Sequence, residues 1–261
     1  MSFVKLNNKL RTLLGMVGLY CLCVSSPLLA ALSPQQQQTQ DAQVAALQAA
    51  TQLFMHRGEG RQPEQAELVE VALNDLQQQS QGLTVGDLST SVPAYQQQVQ
   101  QALAYDLSSP DLPWDFNLNF SNALSRVMQD LQQNAIAAKV QPALSAEQAL
   151  LWDLPARFQY LATRYTARAY TGDLEPLSED ASSFLAQDLD QQTAALDKDL
   201  KALAAGLAGR SDVANRLRDV QVRWRFIHGR LLNYNDDMAP LIVERSCRDI
   251  VTHLQALQGS L

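Results

Sequence analysis

Apolar residues recur at alternating spacings of three and four along most of the chain, the signature of helices packed at small crossing angles. The second half shows it most clearly. Leu151, Leu154, Phe158, Leu161 and Tyr165 form one stripe, and Val213, Leu217, Val220, Trp224, Ile227 and Leu231 another. Val243, Cys247, Ile250, Leu254 and Leu257 form a third, and Leu185, Leu189, Gln192, Leu196, Leu200 and Leu203 a fourth with one polar interruption. These stripes predict helices over 146–171, 179–206, 212–234 and 240–258. The first half is weaker. Val44, Leu47, Thr51 and Phe54, then Phe120, Leu124, Val127 and Leu131, keep the spacing, and the expected helices are 42–57, 63–80, 92–106 and 117–137.

Punctuation agrees with these elements. Pro63 suits a first helical position, Gly172 follows a helix, Ser211 and Asp212 open one, and Pro240 lies near the start of the last. Asp106–Asp115, with Pro110, Pro113 and Trp114, reads as a loop. Long β-branched runs are absent and Ala, Leu and Gln dominate, which favours helix. The expected fold is all-α: an antiparallel helical bundle of two tandem four-helix units, 44–140 and 145–261. Leu47-Gln48 against Phe158-Gln159, and Asp75-Leu76-Gln77-Gln78 against Asp188-Leu189-Asp190-Gln191-Gln192, fit an internal duplication or the chance likeness of amphipathic helices.

The N-terminus breaks the pattern. Lys5, Lys9 and Arg11 precede an apolar run from Leu13 to Val24, then Ser25-Ser26-Pro27 and Leu28-Leu29-Ala30-Ala31. This reads as a secretory signal peptide over 1–30, with an uncleaved membrane anchor as the alternative. The run is short for a membrane span, which needs ~20 residues. Tyr20 and Leu22 before Cys21 and Cys23 do not suit lipidation. The expected location is the periplasm. Residues 31–43, rich in Gln, read as a flexible leader. No later apolar run is long enough to span a membrane, so the mature chain is expected not to cross one.

Charge narrows the partners. The chain carries −7, and loss of the signal segment with its three positive charges leaves −10. Nucleic acid and anionic membranes attract Lys/Arg patches, so neither is expected to bind the chain. Cys247 alone remains after the signal, which excludes an internal disulfide, a Cys-based zinc site and an iron–sulfur cluster in the mature chain. His56, His228 and His253 form no Glu-x-x-His or His-x-x-x-His pair, and no nucleophile elbow or phosphate loop occurs. The expectation is a non-enzyme without cofactor or metal.

One constellation suggests a binding site. Arg157, Tyr160, Arg164 and Arg168 recur at helical spacing beside the core stripe of helix 146–171. Guanidinium groups so placed bind an oxyanion through charge-assisted, forked hydrogen bonds. The alternative is pairing with acids on neighbouring elements, such as Glu179, Asp180 or Asp188.

The segment Phe158-Gln159-Tyr160-Leu161-Ala162-Thr163-Arg164-Tyr165 resembles the opening helix of the PilJ-type domain, the periplasmic N-terminal domain of type IV pilus chemotaxis transducers, which is similar to nitrate/nitrite sensor domains. Leu161 and Arg164 fit its motif, approximately R-M-L-S-Q-R, and the first arginine falls on Gln159. Val222-Arg223-Trp224 through Leu231 and Ser246 to Leu257 look like its last two helices. The resemblance implies a periplasmic bundle that senses a small ligand or docks a protein such as a membrane receptor. A structural envelope adaptor without a small-molecule ligand is the other expectation.

Overall fold

The structure, a computed structural model, describes residues 32–260 apart from 105–112, 114, 140–143 and 236. The expected signal segment, 1–30, lies outside the described residues. Residues 31–261 form one compact unit. The described residues contain eight α-helices, one 3-10 turn and no strand, so the chain is all-α. The helices are α1 (Pro34–Gly58), α2 (Pro63–Ser80), α3 (Leu88–Ala104), α4 (Phe116–Lys139), α5 (Ala146–Tyr170), α6 (Leu189–Gly206), α7 (Ala214–Leu232) and α8 (Pro240–Gln258). No described helix is long and apolar enough to cross a membrane.

Two helices of 25 residues, α1 and α5, lie at the centre. Each opens with a capping box in which a serine and a glutamine exchange side chain and backbone: Ser33 with Gln36, and Ser145 with Gln148. They run parallel and in register. Thr51 Oγ1 meets Thr163 Oγ1 at 2.9 Å across a separation of 112 residues, and Gln40 Nε2 donates to the Trp152 carbonyl at 2.6 Å across the same separation. Ala42, Ala46, Ala49 and Ala50 of α1 are buried in the core shared with α2, α3 and α4. Around α1 pack α2, α3 and α4, and around α5 pack α6 and α8, with α7 seated mainly on α8.

Every apolar residue of the stripes read from the sequence is buried, from Val44 and Leu47 through Leu254 and Leu257. The spacing reports which residues face inward, and the fold honours it on every helix with a stripe read from the sequence.

Three expectations change. Helix α1 starts at Pro34 rather than at residue 42, so the Gln-rich stretch is helical and packed, not a flexible leader. Two of its buried glutamines are answered inside: Gln36 Nε2 donates to the Ala138 carbonyl at 3.0 Å, and Gln43 Nε2 to Gln132 Oε1 at 3.2 Å. Amide side chains can be buried when each finds such a partner. Helix 179–206 shortens to α6, because Asp188 and Gln191 make a capping box that sets the start at Leu189. Residues 171–188 are a loop with a 3-10 turn, Phe184–Ala186, closed by the Leu177 N–H donating to the Leu185 carbonyl at 3.0 Å. Its Leu174, Leu177 and Leu185 enter the core formed with α1, α3 and α4. Helix α3 begins at Leu88, before the expected residue 92.

Pro155 lies inside α5 and has no N–H to give its own helix. The Leu151 carbonyl one turn earlier is served instead by Gln258 Nε2 of α8 at 2.5 Å and more distantly by Gln40 Nε2 of α1 at 3.4 Å. A helix-breaking residue thereby ties three helices together.

Candidate functional site

Helical spacing does place Arg157, Tyr160, Arg164 and Arg168 along one flank of α5, and the fold covers that flank. Arg157 Nη1 pairs with Asp199 of α6 at 2.6 Å. Tyr160 is fully buried, donates its hydroxyl to the Leu185 carbonyl at 2.8 Å and meets Phe184 edge to face. Burial pushes the Tyr160 phenol above its ordinary value, so it stays a neutral donor. Arg164 is 4% exposed. Its Nη1 donates to the Gln187 carbonyl at 3.1 Å, and its Nη2 to Asp173 Oδ1 at 3.0 Å and the Leu174 carbonyl at 3.2 Å. Arg168, half-exposed, reaches Asp173 Oδ2 at 3.5 Å and Asn235 at 2.9 Å, and its guanidinium lies 4.5 Å from the Tyr234 ring centre.

The flank therefore fastens loop 171–188 to α5. The acids that answer the arginines are Asp199 and Asp173, not the Glu179, Asp180 or Asp188 that sequence proximity suggests. The difference arises because residues 179–188 are loop, which changes the acids in reach. Three buried polar atoms at this latch have no protein partner: Arg164 Nε, Gln187 Oε1 and Gln192 Oε1.

A second arginine-bearing surface went unread in the sequence. Helix α7 carries Arg216, Arg218, Arg223, Arg225 and Arg230 against one acid, Asp219. Five of the chain's 20 Lys and Arg residues thus sit on one helix of a chain whose net charge is −7. Arg218, Val222, Arg225 and Gly229 follow one another at spacings of three and four, Phe226 stands four residues after Val222, and all face outward. Phe226 is 61% exposed and Val222 49%. Leu232, at the end of the same face, is 54% exposed. Arg218 donates to Asn215 of its own helix at 2.8 Å, and Arg225 to the Gln221 carbonyl at 3.3 Å, so neither meets a carboxylate there. The signal for this face was present as the positions between the core stripe of α7, with arginines and large apolar residues interleaved.

Beside it, between α6 and α7, is a hollow of about 250 Å³ lined by Leu200, Trp224, Gln221, Arg225, Lys201 and Asp197. Asp197 accepts from Lys201 Nζ at 2.6 Å and from Trp224 Nε1 at 3.1 Å. Those hydrogen bonds, Lys201 first, hold its carboxyl below the ordinary range and keep it charged. The lysine is thus partly neutralised by its neighbour, and Arg225 carries the uncompensated charge at the rim.

No group of three or more His, Cys, Asp or Glu that could hold a metal occurs among the described residues. Cys247 is fully buried, and burial drives its thiol above the ordinary value, so it is a core residue rather than a nucleophile. No family model matches the chain, and neither does any curated protein or solved structure.

Proposed function

We propose that this chain is an exported, non-catalytic helical-bundle protein of the periplasm that acts by docking a protein partner, a membrane receptor or another envelope component. The observation that carries the reading is the outward face of α7, where Val222, Phe226 and Leu232 stay exposed among arginines. Seven large apolar residues are exposed on the described chain, and three of them share this helix. Contiguous exposed apolar surface is commonly an interaction site, whereas scattered single residues need no explanation. The likeness of the α5 segment and the α7–α8 pair to PilJ-type domains points the same way.

The test is a photo-crosslinking residue placed at position 226 in living cells, with position 71 on α2 as the control. Position 226 should give one discrete adduct, identified by mass spectrometry as an envelope protein, and position 71 should give none. Equal or absent adducts at both positions would remove the reading.

A second reading is favoured by the latch. Arg164 Nε seeks an acceptor, and Gln187 Oε1 and Gln192 Oε1 seek donors. On this reading a small ligand, an oxyanion or a hydroxy compound, binds at this flank of α5. A thermal-shift screen across nitrate, nitrite, phosphate, carboxylates and hydroxy acids tests it. A specific rise in midpoint that Arg164→Ala abolishes supports it, since binding to the native state stabilises by mass action.

A further inference from the structure

We infer that the α6–α7 surface takes an acidic amphipathic helix, whose apolar anchor enters the hollow beside Trp224 and whose carboxylates meet Arg218 and Arg225. This rests on the docking reading and names the partner's chemistry.

Three observations select this occupant. The first is charge. Helix α7 has five arginines to one aspartate; Arg223 and Arg230 are paired with Asp249 and Asp237, which leaves Arg218 and Arg225 bonded only within their own helix, while α2, at another part of the surface, has four acids and no base. An acidic helix laid on this face meets Arg218 and Arg225, with Lys201 and its partner Asp197 on the α6 side. A flat anionic membrane would also meet the acidic remainder of a chain with net charge −7. The second is shape. Leu200 and Trp224 make an apolar floor, and Gln221, Arg225 and Lys201 with its partner Asp197 make a polar rim, around a volume of about 250 Å³. That suits one large apolar side chain and repeats the groove docking of amphipathic helices. An extended strand has no edge to pair with, because the described chain contains no strand. The third is access. Gly229 lies on the same face, and a Cβ built there meets nothing within 4 Å. A glycine in a helix costs about 0.5–1 kcal/mol relative to alanine. Here it leaves the backbone open to close approach beside Phe226, whose exposed ring would cap the partner's apolar face.

The test uses the exported protein and two designed helical peptides. Both carry the same apolar positions, and their polar faces are glutamate in one and lysine in the other. Affinity is read by fluorescence anisotropy. The acidic peptide should bind and the basic one should not, and raising the salt should weaken binding severalfold. Phe226→Ala should weaken it about tenfold. The double variant Arg218→Glu/Arg225→Glu should bind the basic peptide in place of the acidic one. Val71→Ala should change nothing, and circular dichroism of each variant establishes that it folds. Equal binding of both peptides, or binding unaffected by the α7 variants, overturns the inference. So does binding of neither peptide while anionic vesicles bind, or self-association that the α7 variants abolish. A crosslinked partner at position 226 with no preference for the acidic peptide would sink this inference and leave the docking reading standing.

Discussion

Arg157 and Arg164 of α5, and Arg218 and Arg225 of α7, are each seven residues apart, and the two pairs have opposite fates. On α5, Arg164 is buried and spends its donors on Asp173 and two loop carbonyls. On α7, Arg218 and Arg225 are exposed and bond only within their own helix. The difference lies in what stands opposite. Loop 171–188 closes over α5, bringing carbonyl oxygens whose own helical partners are missing, whereas α7 has solvent on its outer side. A charge with several buried acceptors becomes a structural tie, and a charge left in water beside exposed Phe226 stays available for something else.

Arg164→Ala is the strongest way to break this comparison. It strips donors from Asp173 and from the Leu174 and Gln187 carbonyls, and it should cost about 2–4 kcal/mol in urea unfolding. Hydrogen exchange should speed up across residues 172–188. A loss under about 0.5 kcal/mol would mean the latch is not structural.

Thr163→Val sharpens the inner side of the comparison. Thr163 Oγ1 bonds Thr51 Oγ1 at 2.9 Å and the Leu47 carbonyl at 3.1 Å. Removing the hydroxyl leaves those groups buried without it, and a loss of about 1–2 kcal/mol is expected from chemical denaturation.

Gly229→Ala should move the other way on the outer side. It stabilises the fold by about 0.5–1 kcal/mol, because helix propensity improves and nothing is in the way of the new methyl group. The same change should weaken the acidic peptide, which separates stability from docking. Arg218→Glu/Arg225→Glu should shift stability by less than about 0.5 kcal/mol, as surface changes usually do.

A carboxylate tests the inner environment by pH. Glu244 of α8 is buried, accepts from Gln52 Nε2 at 2.7 Å and lies 3.5 Å from Arg248. Burial raises its value above the ordinary one, against the smaller opposing pulls of Arg248 and Gln52. The folded chain therefore holds this proton more tightly than the unfolded chain does. Its contribution is most favourable below the ordinary carboxylate range and is lost as pH rises through the folded value. Glu244→Gln should raise the melting temperature at neutral pH, and the gain should shrink on acidification. A gain independent of pH would show that ionisation of Glu244 is not the cause.

Much of the fold was legible because periodicity is local. Leu151 through Tyr165, Val213 through Leu231 and Val243 through Leu257 announce their buried faces by spacing alone, and all of them are buried. What stayed hidden needed partners far along the chain. The Gln-rich start of α1 looks solvent-loving until Ala138 and Trp152 arrive to accept from Gln36 and Gln40. Residues 179–188 continue a helical pattern through Leu185, yet the Asp188 cap and the Leu177–Leu185 bond hold them as loop. The flank of Arg157, Tyr160, Arg164 and Arg168 was visible as a flank, and its occupation by Asp199, Asp173 and loop carbonyls was not.

The sequence by itself determined the helical class and the inward faces, since these depend on residues within one or two turns of each other. Tertiary structure decided which polar groups are answered and which remain free. It laid α1 beside α5 in register across 112 residues and put the loop over Arg164. It also left α7 at the margin with Arg218, Arg225 and Phe226 uncovered, because a polar group's fate depends on what stands opposite it, and no local pattern encodes that.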